Sequence, residues 1–269
     1  MQITFLGTGN AENSVRGNTS FILSEAPGNN ALIDGGEGLS LLKKFKQTKI
    51  NYSNLQEIFI SHRHLDHIIG IPWILRDLTA ADRKQPLLSA SSYRQISILG
   101  PQEVILALQE MIKVLFSQRD QKTINRLCRF LVVRNNTYGI LAGTETQFFN
   151  VGSPDVEQFG WRMSLHNGSH LFFPGDEPGN QTTLPYASSS EWIMHEACLN
   201  NFKQDNLGIK HHASAAEAGQ YAAESNAKNL ILYHTDCTTE TENSLLKKEA
   251  AEYFKGNIFV PVPGTVINI

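Results

Sequence analysis

The stretch Ser61-His62-Arg63-His64-Leu65-Asp66-His67 places three imidazoles and a carboxylate within six residues. Neutral imidazole and carboxylate are the usual ligands for zinc and related divalent ions. His62 and His64 are two apart in an extended loop, so they point to the same side. Asp66 and His67 follow where the backbone begins to turn, and they can face a second point close by. The spacing suits two adjacent metals, which can share a hydroxide and clamp a phosphoryl or acyl oxygen. The plainer reading is a solvated, His-rich loop. Four potential ligands in this order are a more specific signal than a lone histidine.

The flanking residues say what holds the cluster. Leu55 to Ile60 reads as a short buried strand, and Ile68 to Leu75 is an apolar run that can open a helix. The cluster therefore sits on a strand-to-helix loop, where a rigid scaffold commonly displays functional groups. Further strands are expected at 3–6, 21–24, 31–34, 95–101, 147–153, 159–165, 171–173, 192–198 and 230–236, with closing strands at 258–260 and 265–267. Helices are expected after Gly38 through Phe45, over 71–81, 104–115 and 244–254, and in the Ala-rich segment after an N-cap at Ser214. Residues 117–145 are polar and mixed, with one candidate strand at 130–133.

The pattern His-x-His-x-Asp-His is the signature of the metallo-β-lactamase superfamily, and the chain resembles its RNase Z-like branch, the tRNA 3′-processing endonucleases. Phe5-Leu6-Gly7-Thr8-Gly9, a hairpin and then Asp34-Gly35-Gly36-Glu37-Gly38 look like the start of that family. His195-Glu196-Ala197 and His212-Ala213-Ser214 resemble two later signatures. The resemblance implies an α/β fold, the αββα metallo-β-lactamase sandwich, as a single domain over residues 1–269. It implies a first metal held by His62, His64 and Asp176, and a second held by Asp66, His67, Asp176 and His234. Asp66 also serves catalysis by holding metal and nucleophile. Asp34 is implied to hydrogen-bond the metal loop rather than ligate. Glu196 is implied to orient His212, which stabilises charge or protonates the leaving oxygen; His211 lies next door and competes for that role. His195 reads as structural.

The chain departs from the family at one ligand. Where the family has a histidine after the strand at 147–153, this sequence has Ser153. His166 and His170 read as turn histidines at the other end of strands that rise about 3.3 Å per residue. Three outcomes follow: a weakened dinuclear site, a single metal at the second position, or a degenerate scaffold. Only one hairpin fits between Ser153 and Asp176, where bacterial RNase Z carries a tRNA-gripping arm.

Bulk properties narrow the setting. The 269 residues carry a net charge of -3 and are 41% hydrophobic, and the pI is about 6.3. No general basic field advertises nucleic acid, although Arg119, Lys122, Arg126 and Arg129 could make a local patch. With the missing arm, this argues against tRNA as substrate. Cys128, Cys198 and Cys237 are too scattered for a disulfide framework and suit a reducing cytoplasm. The N-terminus lacks the features of a signal peptide, and no run has the length of a membrane span.

The expectation is a cytoplasmic, zinc-dependent hydrolase (Mn2+ or Fe2+ being alternatives) acting on a phosphodiester or other small ester. A homodimer would suit the likeness. The rival readings are hydrolysis of a lactone, thioester, sulfate ester or β-lactam, and a non-catalytic scaffold.

Overall fold

Central strands of both sheets are buried residue after residue rather than alternately. Phe21 to Leu23, Ala31 to Ile33 and Leu230 to Leu232 are fully buried, the mark of sheets covered on both faces. A computed structural model describes residues 1–26, 28–48, 50, 54–85, 95–197 and 212–269. Two seven-stranded sheets face each other. The first comprises β1 (Gln2–Gly7), β2 (Ser20–Ala26), β3 (Asn29–Ile33), β4 (Leu55–Phe59), β5 (Ile96–Gly100), β6 (Cys128–Val132) and β14 (Val266–Asn268), in the order β14-β1-β2-β3-β4-β5-β6. The second comprises β7 (Thr137–Leu141), β8 (Thr144–Asn150), β9 (Phe159–Ser164), β10 (His170–Phe173), β11 (Trp192–Glu196), β12 (Asn229–Tyr233) and β13 (Asn257–Phe259), in the order β13-β12-β11-β10-β9-β8-β7.

Three apolar layers hold the sandwich. Phe5, Phe59, Trp161, Phe173 and Tyr233 meet between the sheets. Helices Ser40–Thr48, Ile71–Lys84, Gln102–Leu115 and Gln118–Leu127 pack on the outside of the first sheet through Phe45, Leu75, Leu108 and Leu127. Helices Ala215–Glu224 and Glu240–Tyr253 cover the second through Ala218, Ala222 and Leu246. This is the expected αββα order of layers.

Both sheets contain a parallel run: β3 to β6 in one and β10 to β13 in the other. Ligand sites in such sheets collect outside the carboxyl ends of the strands. Here β3 delivers Asp34, β4 the His62–His67 loop, β10 Asp176, β11 Glu196 and β12 His234. The two halves of the cluster thus come from the two sheets, at one end of the sandwich.

Residues 117–145 are more regular than their composition suggests. Ser117 accepts from Asp120 N and caps a helix over Gln118–Leu127 that buries only Ile124 and Leu127. β7 and β8 then form a hairpin. In the candidate basic patch, Arg126 is paired with Asp82, and the neighbouring Arg83 with Asp120. No helix among the described residues is long and apolar enough to cross a membrane. Cys128 and Cys237 are free and buried, while Cys198 lies outside the described residues.

Candidate metal centre

The loop after β4 is fixed from behind by Asp34. This carboxylate is fully buried and sits at φ 55°, left-handed backbone that Asp tolerates better than most residues. Its Oδ1 accepts from Ser61 N at 2.7 Å and its Oδ2 from His67 Nδ1 at 3.0 Å. Ser61 Oγ also donates to it and in turn accepts from His62 Nδ1 at 3.0 Å. With Asp34 and Ser61 facing the two Nδ1 atoms, each Nε2 points toward the cluster, the arrangement in which a neutral ring would offer that nitrogen to an ion. Backbone bonds complete the clamp: Gly35 N donates to His67 O and Gly70 N to Gly35 O. A side chain on Gly36 would collide with the backbone of Asp66, which explains glycine in that loop.

The freed atoms converge. His67 Nε2 is 3.4 Å from Asp66 Oδ2 and 3.4 Å from Asp176 Oδ2; His234 Nε2 is 3.4 and 3.6 Å from the same two oxygens. A tetrahedral ion with ligands at 2.0–2.1 Å requires ligand-to-ligand edges of about 3.4 Å. His67 Nε2 is buried and has no hydrogen-bond partner, a costly state unless an ion completes it. Asp66, His67, Asp176 and His234 therefore fit a divalent ion. His234 is held at φ 53°, the kind of backbone strain that clusters at functional sites.

The other half of the expected set is looser. His62 Nε2 lies 3.5 Å from Asp176 Oδ2 and 2.9 Å from His64 Nδ1. His62, His67 and Asp176 form a convergent group, as do Asp66, His67 and His234, and Glu196, His212 and His234. His64 belongs to no such group among the described residues and reaches the cluster through His62. Its side chain is 42% exposed. Ser153 lies in the connection after β8, its hydroxyl buried without a partner. His166 is paired with Glu25, which also binds the N-terminus, at the far end of β9.

Charge follows from this packing. Burial raises the pKa of Asp66 and Asp176, but facing imidazoles outweigh it and hold both well below the usual carboxylate range. Burial pulls His67 down, yet Asp34, Asp176 and Asp66 outweigh that and raise it. Burial wins at His62, which lies well below its ordinary value. The cluster is thus an ionised carboxylate pair with a neutral imidazole ready on one side.

Beside it, Glu196 is fully buried. Its Oε1 accepts from Ala213 N at 2.6 Å and its Oε2 lies 3.1 Å from His212 Nδ1. His234 Nδ1 is 4.0 Å from the same Oε2. Burial lowers the pKa of His212, but the hydrogen bond and charge of Glu196 outweigh it and raise it to about 9. His211 lies outside the described residues. His195 is buried, donating Nδ1–H to Glu196 O and accepting from Gly179 N, a structural place.

Two residues emerge that sequence reasoning missed. Gln158 donates from Nε2 to Asp176 Oδ1 at 2.7 Å, and Asp155 Oδ2 lies 3.3 Å from His64 Nε2. Neither falls in a recognisable motif, and only their closeness to Ser153 hinted at them.

Facing sheets, outer helices and an imidazole–carboxylate cluster at the strand ends define a metallo-β-lactamase-fold protein. The metallo-β-lactamase-fold protein YhfI from Bacillus subtilis superposes with a TM-score of 0.77 at 17% identity, covering 99% of both chains. The short form of human tRNase Z gives 0.72 at 21% identity, covering 100% of this chain and 99% of that one. The chain belongs to the family described as anti-Pycsar protein Apyc1, which matches residues 1–256. The likeness to the RNase Z branch also holds in sequence. Ribonuclease Z of Natronomonas pharaonis is 24% identical over 304 aligned positions, covering 100% of this chain and 98% of its own.

Proposed function

We propose that this chain is a metal-dependent phosphodiesterase, and that its substrates are small phosphodiesters. The observation that carries the reading is the placement of a carboxylate-held imidazole, Glu196–His212, beside the Asp66–His67–Asp176–His234 cluster. Zinc is the ion we assign to the nitrogen and oxygen donors, with Mn2+ or Fe2+ as alternatives. When bound, such an ion supplies positive charge to phosphoryl oxygens and lowers the pKa of water to about 7.

The chain's own groups divide the remaining work. Asp66 and Asp176 stay ionised and anchor the site with His62, His64, His67 and His234. Glu196 occupies Nδ1 of His212 and keeps the ring protonated at neutral pH. The Nε2 proton is then available to a leaving alkoxide, the role of a general acid. A phosphodiester uses both parts: its two non-bridging oxygens need cationic neighbours and its leaving oxygen needs a proton.

Small substrates are favoured over tRNA because the span from Ser153 to Asp176 holds only the β9–β10 hairpin, where the resemblance to bacterial RNase Z leads us to expect a tRNA-gripping arm. The name ribonuclease Z among the relatives points the other way, so tRNA is an arm of the test. The zinc-loaded protein is assayed on bis-p-nitrophenyl phosphate, a precursor tRNA, and a lactone, thioester, sulfate ester and β-lactam. Turnover of the aryl phosphodiester alone supports the reading. Turnover of the other esters but not the phosphodiester would overturn the reaction class, and efficient tRNA cleavage would overturn the size preference. The expected homodimer and cytoplasmic location stay with this reading, and sedimentation and cell fractionation test them.

A further inference from the structure

The connection from Val151 to Gln158 is where a ligand histidine is expected and Ser153 stands instead. Two other side chains of that same connection reach the cluster. Asp155 Oδ2 lies 3.3 Å from Nε2 of His64, and Gln158 Nε2 donates to Oδ1 of Asp176 at 2.7 Å. Each touches the atom of its partner that the cluster does not use. His64 turns its other nitrogen, Nδ1, toward His62 Nε2. Asp176 turns its other oxygen, Oδ2, toward His62, His67 and His234.

We propose that Asp155 and Gln158 are positioning residues for the metal centre, with Asp155 supporting the first metal position through His64. The loop that lacks a direct ligand would then hold two ligands in place from behind. The proposal rests on the reading that the cluster binds metal.

The chemistry runs through each pair separately. An imidazole that ligates through Nδ1 carries its proton on Nε2, and a carboxylate accepting that proton fixes the tautomer and raises ligand basicity. Asp155 is 70% exposed and His64 is 42% exposed, so as a bare surface pair they would contribute little. Coupled to an ion on the other nitrogen, the same contact acts on affinity. Gln158 differs: it is 1% exposed, and its amide occupies one lone-pair side of Asp176. That leaves Oδ2 as the oxygen presented to both metal positions. Gly175, at φ 79°, makes room, because a side chain there would strike the Gln158 amide.

The two residues therefore predict different binding signatures. Asp155 acts on one metal position and Gln158 on both. Metal-free protein is titrated with Co2+, followed by calorimetry and by the visible absorption of the bound ion, for wild type, Asp155→Asn, Asp155→Glu and Gln158→Leu. Circular dichroism melting checks each fold. Asp155 is on the surface, so its variants keep the fold even if Gln158→Leu does not.

The expected result is two equivalents in wild type. Asp155→Asn weakens the second equivalent about 10–100-fold and leaves the first unchanged in affinity and spectrum, with partial recovery in Asp155→Glu. Gln158→Leu weakens both. The proposal is overturned if Asp155→Asn matches wild type, if it weakens both equivalents alike, or if wild type takes up only one ion. The phosphodiesterase reading fails separately, if fully loaded protein leaves bis-p-nitrophenyl phosphate intact while these affinities behave as expected.

Discussion

His67 Nδ1 donates to Asp34 Oδ2 across 3.0 Å, and both side chains are fully buried. The bond joins the end of β3 to the ligand loop of β4, and it decides which nitrogen of His67 faces the cluster. Asp34 also accepts from Ser61, so a single carboxylate holds three donors. Asp34→Ala leaves them without an acceptor in a dry site. Breaking a buried pair of this kind costs about 3–5 kcal/mol, and loss of such a partner weakens metal binding about 10–100-fold. Urea unfolding in chelator reads the first effect and competition with a chromophoric chelator the second. A stability change under about 1 kcal/mol would mean the bond does not hold the loop.

If His212 is the general acid of the proposed reaction, its pairing with Glu196 should set the high-pH limb of activity. His212, raised to about 9, remains an acid through neutral pH and loses its proton above that. Activity on an alkyl phosphodiester, whose leaving alkoxide needs the proton, should hold to about pH 9 and fall beyond. In Glu196→Gln the supporting charge is gone, so the limb moves down toward the ordinary histidine value of about 6.5. His212→Ala should lower kcat by about 10²–10⁴-fold with the metal content unchanged. A high-pH limb that stays in place in Glu196→Gln would remove His212 as the acid. The linked stability has a definite sign. The folded value of His212 lies above the unfolded one, so the stability its protonation contributes is lost as pH rises from about 6.5 through about 9.

His195 predicts the opposite trend. Burial lowers its pKa to about 4, against weaker raising effects from its hydrogen bond to Glu196 O and from Glu217. The unfolded chain takes up this proton near 6.5, so stability is full above that and falls as pH drops toward 4. The loss amounts to about 3 kcal/mol at about 1.4 kcal/mol per unit. His195→Gln should be less stable at pH 7, and the gap to wild type should close by that amount at pH 4. Parallel urea midpoints across the range would show that His195 does not carry it.

What could be read in advance divides along physical lines. The ligand loop was legible because its donors are contiguous, so spacing alone brings them together. Asp176, Glu196 and His234 are scattered, and each was placed at a strand end by resemblance to a family. The roles of Asp155 and Gln158 depend on which way an irregular loop turns its side chains, and no periodicity encodes that. The helix over Gln118–Leu127 was hidden because it buries so little, although Ser117 three residues before Asp120 was a cap signal. The β7–β8 hairpin turns on Ala142 and Gly143, both at positive φ. Ala-Gly is not the Asn-Gly or Asp-Gly that announces such a turn.

Ser153 tests how much of the first metal position survives. Its hydroxyl is buried and unpartnered, in the connection that also carries Asp155 and Gln158. On the proposed reading the second position takes Asp66, His67, Asp176 and His234, with both imidazoles 3.4–3.6 Å from both carboxylates, whereas the first takes His62, His64 and the shared Asp176 oxygen. The two positions should therefore differ in affinity, with the four-donor set filling first. In Ser153→His a neutral imidazole joins the weaker position, and elemental analysis of protein purified without chelators should move toward two ions per chain. Wild type already at two ions would show that Asp155-supported His64 suffices without the extra ligand. No metal in either protein would remove the hydrolytic reading and leave a binding scaffold. A rise from one ion to two would make the second position the resident centre and the first an exchangeable one.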